Sequence, residues 1–291
     1  LATTLIMKIL LLGKTGQLGK ELQQQAVAFN FEIVAFGRDE LDITDYKKVS
    51  RMIEKHNPDV VINASAYHVV PECELYPDQA FAINSVALKQ LADICNERDI
   101  RLVHYSSDFV FDGLKGKPYR EDDRAYPLQV YGISKLAGEF AVLDYCQKGI
   151  VIRACYVYGG KTGSRIKKGN FILTILKQIE GKTELEVASE QIVSPTYAAD
   201  LATATLQLLK KKKAAGLFHL VNEGHCSLAE LAAQIVKYKK SKTKIIPVDR
   251  GGKAGALKRP LFSALKNTHA KKLGVVLPKW QDGLKRYLDT L

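Results

Sequence analysis

The chain is predicted to fold as an α/β protein, a doubly wound parallel sheet followed by a smaller C-terminal α/β substrate lobe. Short runs rich in β-branched residues alternate with stretches of helical periodicity through the first half. Those runs are continuously apolar, as strands covered on both faces are, and helix-length segments separate them, as crossovers between parallel strands require. Beyond Arg153 the alternation loosens.

In order, Lys8–Leu12, Glu32–Phe36, Asp59–Ile62 and Arg101–Tyr105 read as strands, with Ile150–Ile152 as a further one. Gln17–Ala28, Asp45–His56, Asp78–Arg98 and Leu128–Cys146 read as the helices between and after them. In the second half, Phe171–Ile179 and Ala198–Leu209 are expected helices and Leu217–Val221 a strand. Ser227-Leu-Ala-Glu230 is a capping box opening a helix to about Tyr238. Gly251-Gly252 and Lys258-Arg259-Pro260 read as loop, and Lys210–Lys213 as a charged helix end. Residues 7–154 are expected to form one domain, with a later contribution from about 195–222, and residues 155–291 mainly the other lobe.

With 291 residues, 46% of them hydrophobic, the chain can bury a full core, which excludes a disordered or collagen-like polymer. No apolar run approaches the ~20 residues of a bilayer span, so no membrane association is expected. Leu1–Ile6 lack a basic n-region and a full h-region and read as an extension outside the fold. Five scattered cysteines without C-x-x-C spacing read as free thiols of a reducing, cytoplasmic compartment. The histidines form no H-x-x-x-H pair, and no metal is expected. The net charge of +12 is concentrated from Leu201 onward, where 19 Lys and Arg face 5 Asp and Glu. A solvated lysine surface accounts for it, attraction of a polyanionic small molecule comes second, and no nucleic-acid-binding motif supports a third reading.

Gly13-Lys-Thr-Gly16-Gln-Leu-Gly19 lies between a strand and a helix. Its glycines permit a tight turn and bring backbone N–H groups close to a pyrophosphate at the positive helix end, the signature of a Rossmann-type NAD(P) site. The second strand ends in Phe36-Gly37-Arg38, and a guanidinium there can pair with a 2′-phosphate. NADPH is therefore the expected cofactor, with NADH as the alternative. Tyr131-Gly-Ile-Ser-Lys135 opens a helix with Tyr and Lys on one face, where an ammonium would lower the phenol pKa for proton transfer. Ser106-Ser107 ends the preceding strand, placing a hydroxyl to share a substrate oxygen. His104, at the end of an apolar strand, reads as a satisfied core histidine, and Asp122-Asp123 as a solvated turn.

Together with Leu41-Asp-Ile-Thr44, Asn63-Ala-Ser-Ala66, Ser106-Ser-Asp-Phe-Val-Phe-Asp-Gly113, Val130–Glu139 and Arg259-Pro260, these motifs resemble the extended short-chain dehydrogenase/reductases, and within them the dTDP-4-dehydrorhamnose reductase (RmlD-like) family, from Met7 to the C-terminus. The resemblance implies cofactor contacts at Gly16, Gln17, Leu18, Asp42, Ile43, Ala64, Ser65, Ala66, Tyr131 and Lys135, beside Gly13, Gly19 and Arg38 already read from the glycine turn and the end of the second strand. It implies a catalytic set of Ser107, Tyr131 and Lys135, and substrate contacts at Ser107, Asp108, Tyr156, Asn170, Phe171 and Arg259. The implied reaction is reduction of the C4 ketone of a nucleotide-linked 6-deoxysugar, dTDP-4-dehydrorhamnose to dTDP-L-rhamnose, with Tyr131 protonating the alkoxide. The implied partners are the nucleotide sugar and a homodimer.

Three departures touch the sugar pocket. Pro71-Glu72 replace an Asp-Lys pair, Tyr156 replaces a tryptophan, and Gln191-Ile-Val-Ser-Pro-Thr196 lacks the family's glycine. A reductase of another nucleotide keto-sugar is therefore one alternative. A non-catalytic NADP-binding subunit resembling the methionine adenosyltransferase β subunit, which keeps the Tyr-x-x-x-Lys pattern, is another.

Overall fold

A computed structural model describes residues 6–161, 169–249 and 257–291. The first half runs β1 (Met7–Leu12), α1 (Gln17–Ala26), β2 (Phe31–Phe36), α2 (Tyr46–His56), β3 (Val60–Asn63), α3 (Val70–Leu75), α4 (Pro77–Phe81), α5 (Ala87–Glu97), β4 (Arg101–Ser107), α6 (Val130–Tyr145) and β5 (Gly149–Ala154). The second half runs β6 (Val157–Tyr158), α7 (Phe171–Ile179), β7 (Glu184–Ala188), β8 (Ile192–Val193), β9 (Thr196–Tyr197), α8 (Ala198–Leu209), β10 (Gly216–His219), β11 (Cys226–Ser227), α9 (Leu228–Tyr238), β12 (Lys244–Val248), α10 (Thr268–Lys272) and α11 (Trp280–Asp289).

Six strands form one parallel sheet in the order β10-β5-β4-β3-β1-β2. Its two faces are both buried because alternate strand residues point opposite ways. Ile9 and Leu11 pack with Leu22 of α1 and Leu201 of α8, whereas Leu10 and Leu12 pack with Ile53 of α2 and Leu91 of α5. That division is what the unbroken apolar runs encode. A third cluster gathers Phe111, Ile172, Leu185, Leu231, Trp280 and Tyr287 around α7, α9 and α11. All five cysteines are free and buried. Gly251-Gly252 lies outside the described residues; Lys258–Pro260 is irregular.

The strand order reverses between β1 and β3, so the loops after these two strands flank a crevice at the carboxyl edge of the sheet. Around that crevice two expected helices differ in the structure. The expected Asp78–Arg98 helix divides into α4, a π turn at Ala82–Val86 and α5. One side chain gives the reason: Asn84 accepts from the Tyr67 N–H at 2.9 Å, donates to the Tyr67 carbonyl at 2.9 Å and donates to Ser134 Oγ at 3.1 Å. Widening the turn lets one buried amide tie the loop after β3 to α6. The α1 helix is shorter than expected, since Asn30 turns left-handed (φ 56°) after a 3₁₀ turn at Val27–Phe29.

Candidate active site

The glycine turn is shaped by two close approaches. Gly13 has φ +93°, and a Cβ there would sit 2.7 Å from the Ala64 carbonyl carbon. A Cβ on Gly19 would lie 2.2 Å from the Gly13 oxygen. Both glycines are demanded by packing of the β1 turn against α1 and the loop after β3. Gly16 differs, because its φ is −69° and a Cβ would meet nothing nearer than 3.5 Å. It is the N-cap of α1 and no side chain caps that helix. First-turn N–H groups behind a residue without a side chain form a cradle for a phosphate, so this turn fits the dinucleotide that the motif implies. Gln17 turns its side chain away, its Oε1 accepting from the Gly159 N–H at 3.0 Å and from Asn170 Nδ2 at 3.3 Å. Leu18 is half-buried against the core face.

At the end of β2, the exposed Arg38 places Nε 3.3 Å from Asp42 Oδ2. Against burial, which acts the other way, hydrogen bonds from Thr44 and the Arg38 charge hold the Asp42 carboxyl below its usual range. Lys14 donates to Glu40 Oε1 at 2.6 Å, and Glu40 Oε2 accepts the Gly37 N–H at 2.8 Å. A second cation therefore stands at the end of β2, held there by Glu40, which the glycine motif alone did not single out. Ile43 turns its side chain into the core with Leu41 and Val49, so only its backbone faces this region. Ala64, Ser65 and Ala66 follow β3 as a half-buried extended run across from Gly13.

On the other side, β4 and the start of α6 bring Ser107 and Tyr131 close enough for the serine hydroxyl to act on the phenol. Ser107 Oγ also donates to Asp108 Oδ1 at 2.9 Å and accepts the Phe109 N–H at 3.2 Å. Asp108 Oδ2 accepts from the Cys155 thiol at 3.2 Å. Burial raises the Asp108 carboxyl despite the hydrogen bonds it receives from Ser263, Cys155 and Ser107. Glu74 Oε1 accepts the Val130 N–H at 2.7 Å and so fixes the entry of α6. Close contact of α6 with the π turn depends on Gly138, where a Cβ would lie 2.1 Å from the Asn84 oxygen.

Lys135 is 1% exposed. Its Nζ donates to the Tyr105 carbonyl at 2.6 Å and lies 3.0 Å from His104 Nε2. Burial pushes the lysine down to about 7, against the raising charge of Glu139. Burial, opposed by the Ser107 hydrogen bond, pushes the Tyr131 phenol above its ordinary value. The sequence-based expectation of a lowered phenol is therefore corrected. Removing both side chains from water disfavours phenolate and ammonium alike, and the lysine nitrogen bonds β4. His104 is buried and satisfied, as expected, but its neighbour is the lysine of the site. Glu139, which the motif reading gave no role, accepts from Ser106 Oγ at 2.5 Å and pairs with Arg153 at 2.8 and 2.6 Å.

The expected substrate contacts lie partly together. Tyr156 has φ 47° and packs edge-on against Phe171 with centroids 5.8 Å apart. The positive φ of a bulky residue is strain retained at a site. Asn170 caps α7 through Leu173 N and donates to Tyr287 Oη at 2.9 Å. Arg259 is exposed, and its charge acts on Tyr156. Pro71 and Glu72 both lie in the first turn of α3. Among the described residues no group of three His, Cys, Asp or Glu could hold a metal ion, and no helix is long and apolar enough to cross a membrane.

Residues 7–291 match the family model described as the RmlD substrate binding domain. The chain is 35% identical over 282 residues to the spore coat polysaccharide biosynthesis protein SpsK of Bacillus subtilis, covering 97% of each chain. It is 35% identical over 304 residues to the dTDP-4-dehydrorhamnose reductase of Escherichia coli, covering 98% of each. The crystal structure of the dTDP-4-dehydrorhamnose reductase of Bacillus anthracis, in complex with NADP, superposes with a TM-score of 0.91 at 30% identity, over 99% of this chain and 100% of that one.

Proposed function

The chain belongs to the RmlD substrate binding domain family, that of the dTDP-4-dehydrorhamnose reductases, and on that premise we propose that it is an NAD(P)H-dependent oxidoreductase acting on a nucleotide-linked keto-sugar. The reading carried furthest is reduction of the C4 ketone of dTDP-4-dehydrorhamnose to dTDP-L-rhamnose. The observation that supports it is the placing of Ser107 next to Tyr131, one helical turn from a buried Lys135 bonded to the Tyr105 carbonyl, on the same crevice as the uncapped glycine turn.

Bound NAD(P)H supplies the hydride. Ser107 Oγ hydrogen-bonds the ketone oxygen, which becomes more basic as charge develops on it. Tyr131 Oη, next to Ser107, gives its proton to that oxygen. A phenol kept protonated by burial is the form that can donate, so its raised pKa suits a reductive direction. Lys135 holds its geometry through Tyr105 and, as the ammonium, offsets the phenolate left behind. Arg38 and Lys14, at the end of β2 and in the glycine turn, would hold a 2′-phosphate. Gly16, Ala64, Ser65 and Ala66 line the dinucleotide, and Asp108, Tyr156, Asn170, Phe171 and Arg259 the sugar nucleotide. Residues 7–154 with 195–222 serve as the cofactor unit and the remainder as the substrate lobe, in a cytoplasmic protein, with a homodimer as the expected assembly.

Absorbance at 340 nm with NADPH and dTDP-4-dehydrorhamnose tests the reading. Wild-type turnover lost in Tyr131→Phe, with NADPH binding intact, is the expected result. Tight NADPH binding without any turnover would refute this substrate. Pro71-Glu72, in the first turn of α3 where the family resemblance implies an Asp-Lys pair, favour a second sugar, and a panel of nucleotide keto-sugars separates the two.

A further inference from the structure

A polar chain runs behind the lysine. Asn63, at the end of β3, is buried and accepts the Ser65 N–H at 3.1 Å and the Ser65 hydroxyl at 2.5 Å through Oδ1. A peptide N–H can only donate, so the oxygen end of the amide must face Ser65. The other end, Nδ2, stands 3.1 Å from His104 Nδ1. An amide nitrogen also only donates, so Nδ1 must present its lone pair. The neutral ring then carries its proton on Nε2, 3.0 Å from Lys135 Nζ.

Two N–H groups cannot bond each other. With Nε2 protonated, a bonded lysine must offer a lone pair, as a neutral amine does. With an ammonium, the ring must move its proton to Nδ1, where it meets the Asn63 amide. Either way, one donor faces another when Lys135 is charged. We propose that Asn63 and His104 are positioning residues that set the proton count on Lys135, the fixed amide forcing the Nε2–H tautomer and that N–H being donated to the lysine nitrogen.

The proposal rests on the reading of Lys135 as part of the proton-donating set. Burial acts in the same direction on Lys135, and it holds His104 well below the usual imidazole range, so the ring takes no second proton. The opposing charge is Glu139, one turn along α6, shared with Ser106 of β4 and Arg153 of β5. One turn the other way is Tyr131, near Ser107 and the Asp108 to which Ser107 donates. Charging Lys135 is thus made difficult by β3 and β4 and easier by α6, and its ionisation falls in the working range rather than far above it. The rate should then decline as pH rises through that ionisation, because the ammonium is the form that offsets the phenolate.

Asn63→Asp inverts the logic. A carboxylate keeps the Ser65 bonds, accepts Nδ1–H instead of opposing it, and leaves the Nε2 lone pair for an ammonium. Nitrogen-15 NMR of the full-length wild-type protein reads the His104 tautomer, and the Lys135 side-chain titration is followed in the same samples. The expected result is an Nε2–H ring and a lysine that titrates near neutrality. In Asn63→Asp the ring should become Nδ1–H, and both the lysine titration and the alkaline limb of kcat/KM should move up by about one pH unit or more. A wild-type Nδ1–H ring, or a lysine that stays charged beyond pH 9, overturns the proposal without recourse to any variant. His104→Gln provides a second variant if Asn63→Asp fails to fold. Because its amide can accept from an ammonium, the lysine titration should rise there too, and an unchanged titration counts against the proposal. Turnover persisting in Tyr131→Phe would defeat the catalytic reading while leaving these NMR outcomes to stand or fall separately.

Discussion

Replacing Glu139 by alanine tests how the site is held. The carboxylate and the Arg153 guanidinium form a bidentate pair at 2.8 and 2.6 Å, with side chains 2% and 5% exposed. Arg153 Nη1 is buried without a hydrogen-bond partner among the described residues, and the guanidinium lies 4.9 Å from the Phe111 ring centroid, so no second acceptor there takes over from the carboxylate. Removing one member of a buried pair leaves an uncompensated charge and costs about 3–5 kcal/mol. At about 2–4 °C per kcal/mol for domains approaching this size, Tm should fall by about 6–20 °C. Differential scanning calorimetry and urea titration measure the loss, and Glu139→Met combined with Arg153→Met should recover most of it, because neither charge then remains buried. A loss below about 1 kcal/mol in Glu139→Ala would show that the pair behaves as an exposed one, and the burial argument would be wrong.

Three further outcomes concern the cofactor crevice. Gly16→Ala should fold with stability changed by no more than about 0.5 kcal/mol, since its φ of −69° suits alanine, yet bind NADPH about tenfold more weakly by fluorescence titration. Gly13→Ala, at φ +93°, should instead lose more than about 1 kcal/mol of stability in the same assay series. Arg38→Ala should lower kcat/KM with NADPH about tenfold while leaving NADH nearly unaffected; equal losses with both would remove Arg38 from 2′-phosphate recognition.

Much of the framework was legible because it is written in local chemistry. Continuous apolar strands require two covering layers, so the residues of β1 alone announced a sheet with helices on both faces. The Ser227 capping box appears as expected, with Ser227 Oγ accepting Glu230 N–H at 3.0 Å and Glu230 Oε2 accepting Ser227 N–H at 2.7 Å. A cap is made by neighbours in sequence, and a sequence therefore displays it. The π turn was not legible, because the force that widens it comes from Tyr67 and Ser134, 17 and 50 residues from Asn84.

The same distinction runs through the site. Spacing alone placed Tyr131 and Lys135 on one helix face and put glycines where a phosphate can approach. It could not give the phenol its raised pKa, turn Gln17 towards Asn170 or bury Ile43 in the core. Nor could it show that His104, an apolar-strand histidine by its neighbours, lies against Lys135 and is oriented by Asn63, residues 31 and 41 positions away. Which hydrogen-bonding groups the chain carries, and their local order, can be read along the residues. Which of them lose water and face one another is set by folding, and it is desolvation and pairing that fix where protons reside.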